Sequence, residues 1–117
     1  MSLIYKLLDR TAWEHAKAEG LFMGSAVDLA DGFIHFSTAA QAPETARRYF
    51  ADQADVMLLA VETEGLGARL KWEPSRGGDL FPHLYGPLAA SAVISAQPLA
   101  LGADGAPVVG ELMEART

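Results

Sequence analysis

The chain contains no cysteine. Disulfides, thiol nucleophiles and thiolate metal sites are therefore excluded. Positive charge is scarce: nine lysines and arginines stand against fifteen acidic residues, for a net charge of −6. Nucleic-acid binding relies on basic groups that neutralise phosphates, so DNA and RNA are not expected partners. A small ligand with one or two phosphates needs only a local basic group. Long apolar runs are missing as well. The longest, residues 56–61, is far short of the roughly 20 residues that span a bilayer. The N-terminal segment has neither an apolar h-region nor a cleavage-site pattern, so the cytoplasm is the expected compartment. No dinucleotide fingerprint, Walker loop, HExxH or GxSxG occurs, and neither does a repeat or low-complexity tract.

What is present is enough for a core. Half of the 117 residues are hydrophobic, and that length suits one domain, residues 1–117. Residues 3–7 read as a strand. Thr11 and Glu14 have the spacing of a capping box, and Gly20 suits the left-handed residue after a helix. Residues 24–31 read as loop and 33–37 as strand. Thr38 and Gln41 form a second possible box. Pro43 is tolerable only in a first turn, so a second helix is expected from about 42 to 51, burying Ala46, Tyr49 and Phe50. Residues 56–61 are apolar on both faces, the mark of a central, twice-covered strand. Residues 69–73 read as strand and 74–79 as polar loop. Residues 81–85 read as strand, with Pro82, which cannot donate to a ladder, expected at an edge or at the strand's entry. Residues 92–101 are strand-like, Ala103 to Gly105 signal a hairpin turn leading to a short strand near Val108, and 111–117 form a charged tail. The order implies an α+β fold.

The chemistry-bearing signals are polar residues set in apolar strands. In DGFIHFST, side-chain alternation puts Phe33, His35 and Ser37 on one face and Ile34 and Phe36 on the other. In FPHLYGP, Phe81, His83 and Tyr85 share a face. In KWEPSRGGD, Lys71 and Glu73 share a face, with Arg76 on the following loop. Each has a plain alternative: a core histidine bonded to a backbone carbonyl, a half-exposed edge strand, a solvated strand end. Three polar faces buried dry would cost several kcal/mol, so their convergence calls for a solvated cleft. Imidazole exchanges protons near neutral pH, and His35, Glu73 and His83 are the expected catalytic set. Ser37, Arg76 and Tyr85 are the expected ligand contacts. His15 reads as an ordinary surface residue. Lys6 interrupts an apolar strand, but its stem is long enough to reach water.

The segments IYKL, GFIHFST, RYF, LKWE, SRGG and FPHLYGPL, spread over residues 4–101, resemble a small bacterial family known as domain of unknown function 952. That family is grouped with the ADP-ribosyltransferase-like fold. The resemblance implies two small, mostly antiparallel sheets around a cleft, with two helices in the N-terminal half. It places His35 and Ser37 on the strand that lines the nicotinamide site in transferases, and Lys6 where their first-strand histidine or arginine stands. Their catalytic glutamate falls at His83, a departure, because imidazole does not supply a carboxylate's charge to an oxocarbenium-like transition state. Glu73 is the nearest substitute. The implied ligand is a small nucleotide, with NAD as substrate rather than as a resident cofactor. The implied reaction is transfer or hydrolysis of an ADP-ribosyl or related group. Two rival readings remain: a ligand-binding or interaction module without chemistry, and a metal hydrolase using His35, His83 and Glu73, which lacks a close-spaced ligand pair.

Overall fold

The computed structural model describes residues 2–110. Three small antiparallel sheets and three α-helices make up the fold among them. The first sheet joins β1 (Leu3–Asp9), β4 (Val56–Glu62) and β8 (Val93–Leu99), with β4 in the middle. Both faces of β4 are apolar and both are covered. Met57, Leu59 and Val61 pack with Ile4, Leu8, Trp13, Phe36 and Leu84. Val56, Leu58 and Ala60 pack on the other side with Leu3, Tyr5, Leu7, Ala42 and Ala46. Each buried leucine contributes roughly 2 kcal/mol of transfer free energy. The central strand is therefore where the sequence pattern places it.

The second large sheet has the order β3 (Ile34–His35), β6 (Asp79–Leu84), β5 (Leu70–Ser75). Pro82 thus lies inside a middle strand, neither at an edge nor at the strand's entry. A residue's N–H and C=O point to the same side of a strand, and here that side meets the end of the two-residue β3. The Pro82 carbonyl accepts from the Phe36 amide at 3.0 Å, and the missing donor falls where the ladder stops. Of residues 74–79, expected as loop, 74, 75 and 79 extend the two strands and only 76–78 turn. Ser75 pairs with Asp79 across a tight turn in which Gly77 and Gly78 take φ of 73° and 90°, a backbone that glycine adopts without a Cβ clash.

A third sheet pairs β2 (Leu21–Phe22) with β7 (Leu88–Ala89). The resemblance implied only two sheets, and two-residue strands carry no alternation from which a third could be read. The turn at Gly105 forms, but among the described residues the segment near Val108 forms an isolated Leu101–Pro107 bridge and not a regular strand. Residues 111–117 lie outside the described residues.

Helix α1 (Arg10–Glu19) ends at Gly20, whose φ is 83°. Its start departs from the Thr11 box: β1 runs straight into it, Arg10 N–H bonds the Asp55 carbonyl at 2.7 Å, and Asp9 is the cap residue without a side-chain bond. Helix α2 (Ala26–Asp31) occupies the expected loop. Ser25 and Asp28 close a capping box there: the Asp28 amide donates to Ser25 Oγ and the Ser25 amide to Asp28 Oδ2. Helix α3 (Ala42–Tyr49) follows a turn in which Thr38 and Gln41 exchange the expected reciprocal bonds, at 3.0 and 3.2 Å. Ala42 and Ala46 are buried, but Tyr49 ends the helix at the margin of that stripe and is exposed. Among the described residues no helix is long and apolar enough to cross a membrane.

Candidate functional site

The segment Phe33 to Ser37 passes from one large sheet to the other. His35 pairs with His83 in β6. Two residues later Ser37 bridges Tyr5 on the open edge of β1, through two amide bonds of 2.8 Å. One face of this segment, with Ile34 and Phe36, is buried in the core. The other borders a cavity of about 630 Å³ whose wall includes Lys6, Asp28, Asp31, His35, Ser37 and His83.

Residues opposite one another in an antiparallel ladder share a face. The register His35–His83–Lys71 therefore puts both histidines on one side, with Glu73 on the diagonal. The imidazole centroids of His35 and His83 lie 5.5 Å apart, and Phe33 stacks on His83 at 4.1 Å. His83, 4% exposed, sets its Nδ1 at 2.8 Å from Glu73 Oε1. Tyr85 donates its hydroxyl to the same oxygen at 2.8 Å. The His83 and then the Tyr85 hydrogen bonds hold the Glu73 carboxyl below its ordinary range. Glu73 in turn pushes the Tyr85 phenol up. With Nδ1 donating to Glu73, His83 keeps Nε2 as an acceptor.

A second cluster lies beside it. Asp28 is almost wholly buried and receives five contacts from four donor atoms. Lys6 Nζ approaches its two oxygens at 3.1 and 2.9 Å. His35 offers its backbone amide at 3.1 Å and Nδ1 at 2.6 Å. The Ser25 amide donates at 2.9 Å. Burial alone would raise the Asp28 carboxyl. The His35 bond, the Lys6 charge and the Ser25 amide together outweigh it and hold the group well below the usual carboxylate range. Burial is the largest influence on Lys6 and lowers its ammonium pKa, against the attraction of Asp28. The Nε2 of His35 faces Asp31 Oδ2 at 2.9 Å.

The structure thus brings His35, His83 and Glu73 together. Tyr85 stands behind Glu73, and both reach the cavity only through His83. Ser37 is in the wall but is engaged by Thr45 Oγ1 at 2.8 Å. The side chain of Arg76 lies outside the described residues. Lys6 does not reach water as expected: it is buried and ion-paired with Asp28. Asp28 was missed, since residues 24–31 read as loop. The Ser-x-x-Asp spacing of Ser25 and Asp28 was the signal that could have found it. Among the described residues no group of three histidine, aspartate or glutamate side chains is placed to hold a metal ion.

Comparisons with known proteins agree with this architecture. The family model described as Protein of unknown function (DUF952) matches residues 7–96. The crystal structure of protein CC0527 from Caulobacter crescentus is 60% identical, with a TM-score of 0.91 over 93% of this chain and 96% of that one. The solution NMR structure of CC0527 is also 60% identical and gives 0.85 over 94% and 95%. No curated protein matches.

Proposed function

This chain belongs to the DUF952 family, and from that premise and the cleft's geometry we propose that it binds a nucleotide-like ligand, NAD or ADP-ribose, and transfers or hydrolyses an ADP-ribosyl or related group. An ADP-ribosyltransferase-like architecture, a single domain over residues 1–117 and a cytoplasmic setting belong to the same proposal. The observation that carries it is the pair of imidazoles 5.5 Å apart, each backed by a carboxylate, at one wall of a cavity.

A histidine whose Nδ1 is fixed by a carboxylate presents Nε2 as a proton acceptor in one tautomer. His83, so held by Glu73, is the proposed group that takes the proton of an attacking water or acceptor hydroxyl. The Asp28 carboxylate, kept ionised by its partners, is the proposed group that stabilises positive charge on a ribosyl carbon. Arg76, on the turn that follows β5, is the proposed phosphate contact. A thermal-shift series with millimolar NAD and ADP-ribose should raise the melting temperature by mass action. A flat response to both would overturn the reading.

A non-catalytic ligand-binding module is the second reading, and one observation favours it. His35 has a carboxylate at each ring nitrogen, and His83 is nearly enclosed. Nucleotide binding without consumption of NAD in a product assay would select it.

A further inference from the structure

We propose that Lys6 is a carbonyl-reactive amine, and that the cavity accepts a small aldehyde or ketone which Lys6 captures as an imine. Among the described residues Lys6 is the one lysine enclosed in the fold. Its side chain is 7% exposed, it sits between Tyr5 and Leu7 on β1 opposite Leu59 of β4, and its Nζ stands 5.9 Å from the Phe22 ring centroid. Yet it lines the cavity. An ammonium in such surroundings is reactive only if its proton can leave, and the site has a route. Nζ touches both oxygens of Asp28, and one of those oxygens also meets His35 Nδ1. Burial lowers the Lys6 ammonium pKa, which raises its free-amine fraction.

The step balances with these groups alone. The Lys6 ammonium gives one proton to the Asp28 carboxylate that it touches. The free amine attacks the carbonyl carbon and the C=O π bond opens. The oxygen takes that proton from Asp28, and the nitrogen, which now carries two protons and the positive charge, passes one of them through Asp28 to the hydroxyl, so that the oxygen leaves as water while the freed nitrogen lone pair forms C=N. The protonated imine keeps the one positive charge that Lys6 began with, and Asp28 remains its counter-ion. Ammonium and carbonyl have become iminium and water. The inference stands apart from nucleotide binding, and either can fail without the other.

The chain has three lysines: Lys6, Lys17 and Lys71. Lys17 is half exposed in a pair with Glu14, and Lys71 is exposed, so both serve as internal standards in the unmodified protein. Treatment with glycolaldehyde and cyanoborohydride at neutral pH, followed by peptide mass mapping, reads the hydroxyethylation rate of each. Lys6 is expected to react faster than Lys17 and Lys71, in the direction that burial moves its ammonium. The preference should vanish in urea, where all three become equivalent. If Lys6 is only a structural ion-pair partner, burial and protonation make it the slowest of the three. A Lys6 rate equal to or below the others in the native protein overturns the proposal, as does a preference that survives unfolding.

Discussion

At the scale of single residues, the site turns on who holds each imidazole. His83 is held by Glu73 and Glu73 by Tyr85, so the roles separate on mutation. His83→Ala removes the proposed proton acceptor and should lower turnover of the NAD-type substrate by roughly 10²–10⁴-fold. Glu73→Gln leaves His83 in place but removes the charge that orients it. Its loss should be smaller and should be accompanied by a shifted pH–rate profile, because the carboxylate acts through the histidine. Tyr85→Phe removes one of two donors to Glu73 and should cost least. Steady-state kinetics with circular dichroism as a fold control measures all three. A Glu73→Gln enzyme with wild-type rate and pH profile would reduce that contact to surface structure. The polar faces behind this order were legible from alternation alone: His35 with Ser37, His83 with Tyr85, Lys71 with Glu73. What alternation does not reveal is depth. Ser37 and Lys6 read as available groups, and both are buried with partners from other elements, because burial depends on which sheets face each other.

At the scale of elements, α2 decides whether the second cluster exists. Its six residues bury one side chain, Asp28, and the backbone turn that carries Asp28 is set locally. Ser25 caps the helix and Gly32 ends it at φ 88°. Gly24, at φ 124°, has so little room that an added Cβ would stand 2.9 Å from the Asp28 Cβ. Gly24→Ala should therefore combine a strained backbone with a direct clash. It should destabilise by about 1–3 kcal/mol in urea denaturation and disturb the Asp28–His35 contact, visible as a changed His35 ring resonance in NMR. A variant with neither effect would show that this turn is not what sets Asp28. The element was invisible to periodicity because six residues make fewer than two turns, and Val27 and Leu29, its large apolar residues, are exposed. β4 is the opposite case. Its apolar run has both faces covered, so pattern and packing coincide. For Pro82 the residue rule was sound, but its application depended on β3 being two residues long, which no local signal announces.

At the scale of the whole molecule, Asp28 links pieces that sequence keeps far apart. Lys6 lies in the first sheet, His35 in the second and Asp28 on the helix between them, so one carboxylate bonds three elements. Its folded-state pKa is depressed, while in the unfolded chain it titrates near about 4. A depressed folded value means that the native state binds the proton less readily than the unfolded state. The contribution is present in full above the unfolded pKa and is lost as pH falls through the interval toward the folded one. Stability should thus be level with respect to this group at neutral pH and should decline steadily below about pH 4. Asp28→Asn should flatten that acid limb. It should also lower stability at neutral pH by about 3–5 kcal/mol, because the Lys6 ammonium is left buried without its counter-charge. Lys6→Met combined with Asp28→Asn removes both charges and should recover much of the loss, since a paired removal leaves no uncompensated ion. Urea denaturation of the three proteins between pH 3 and 7 tests this. An Asp28→Asn protein as stable as wild type at neutral pH, with an unchanged acid limb, would mean that the sheets are held by their apolar contacts and the Tyr5–Ser37 bridge alone. A double variant no more stable than Asp28→Asn would instead place the cost in the lost His35 contacts.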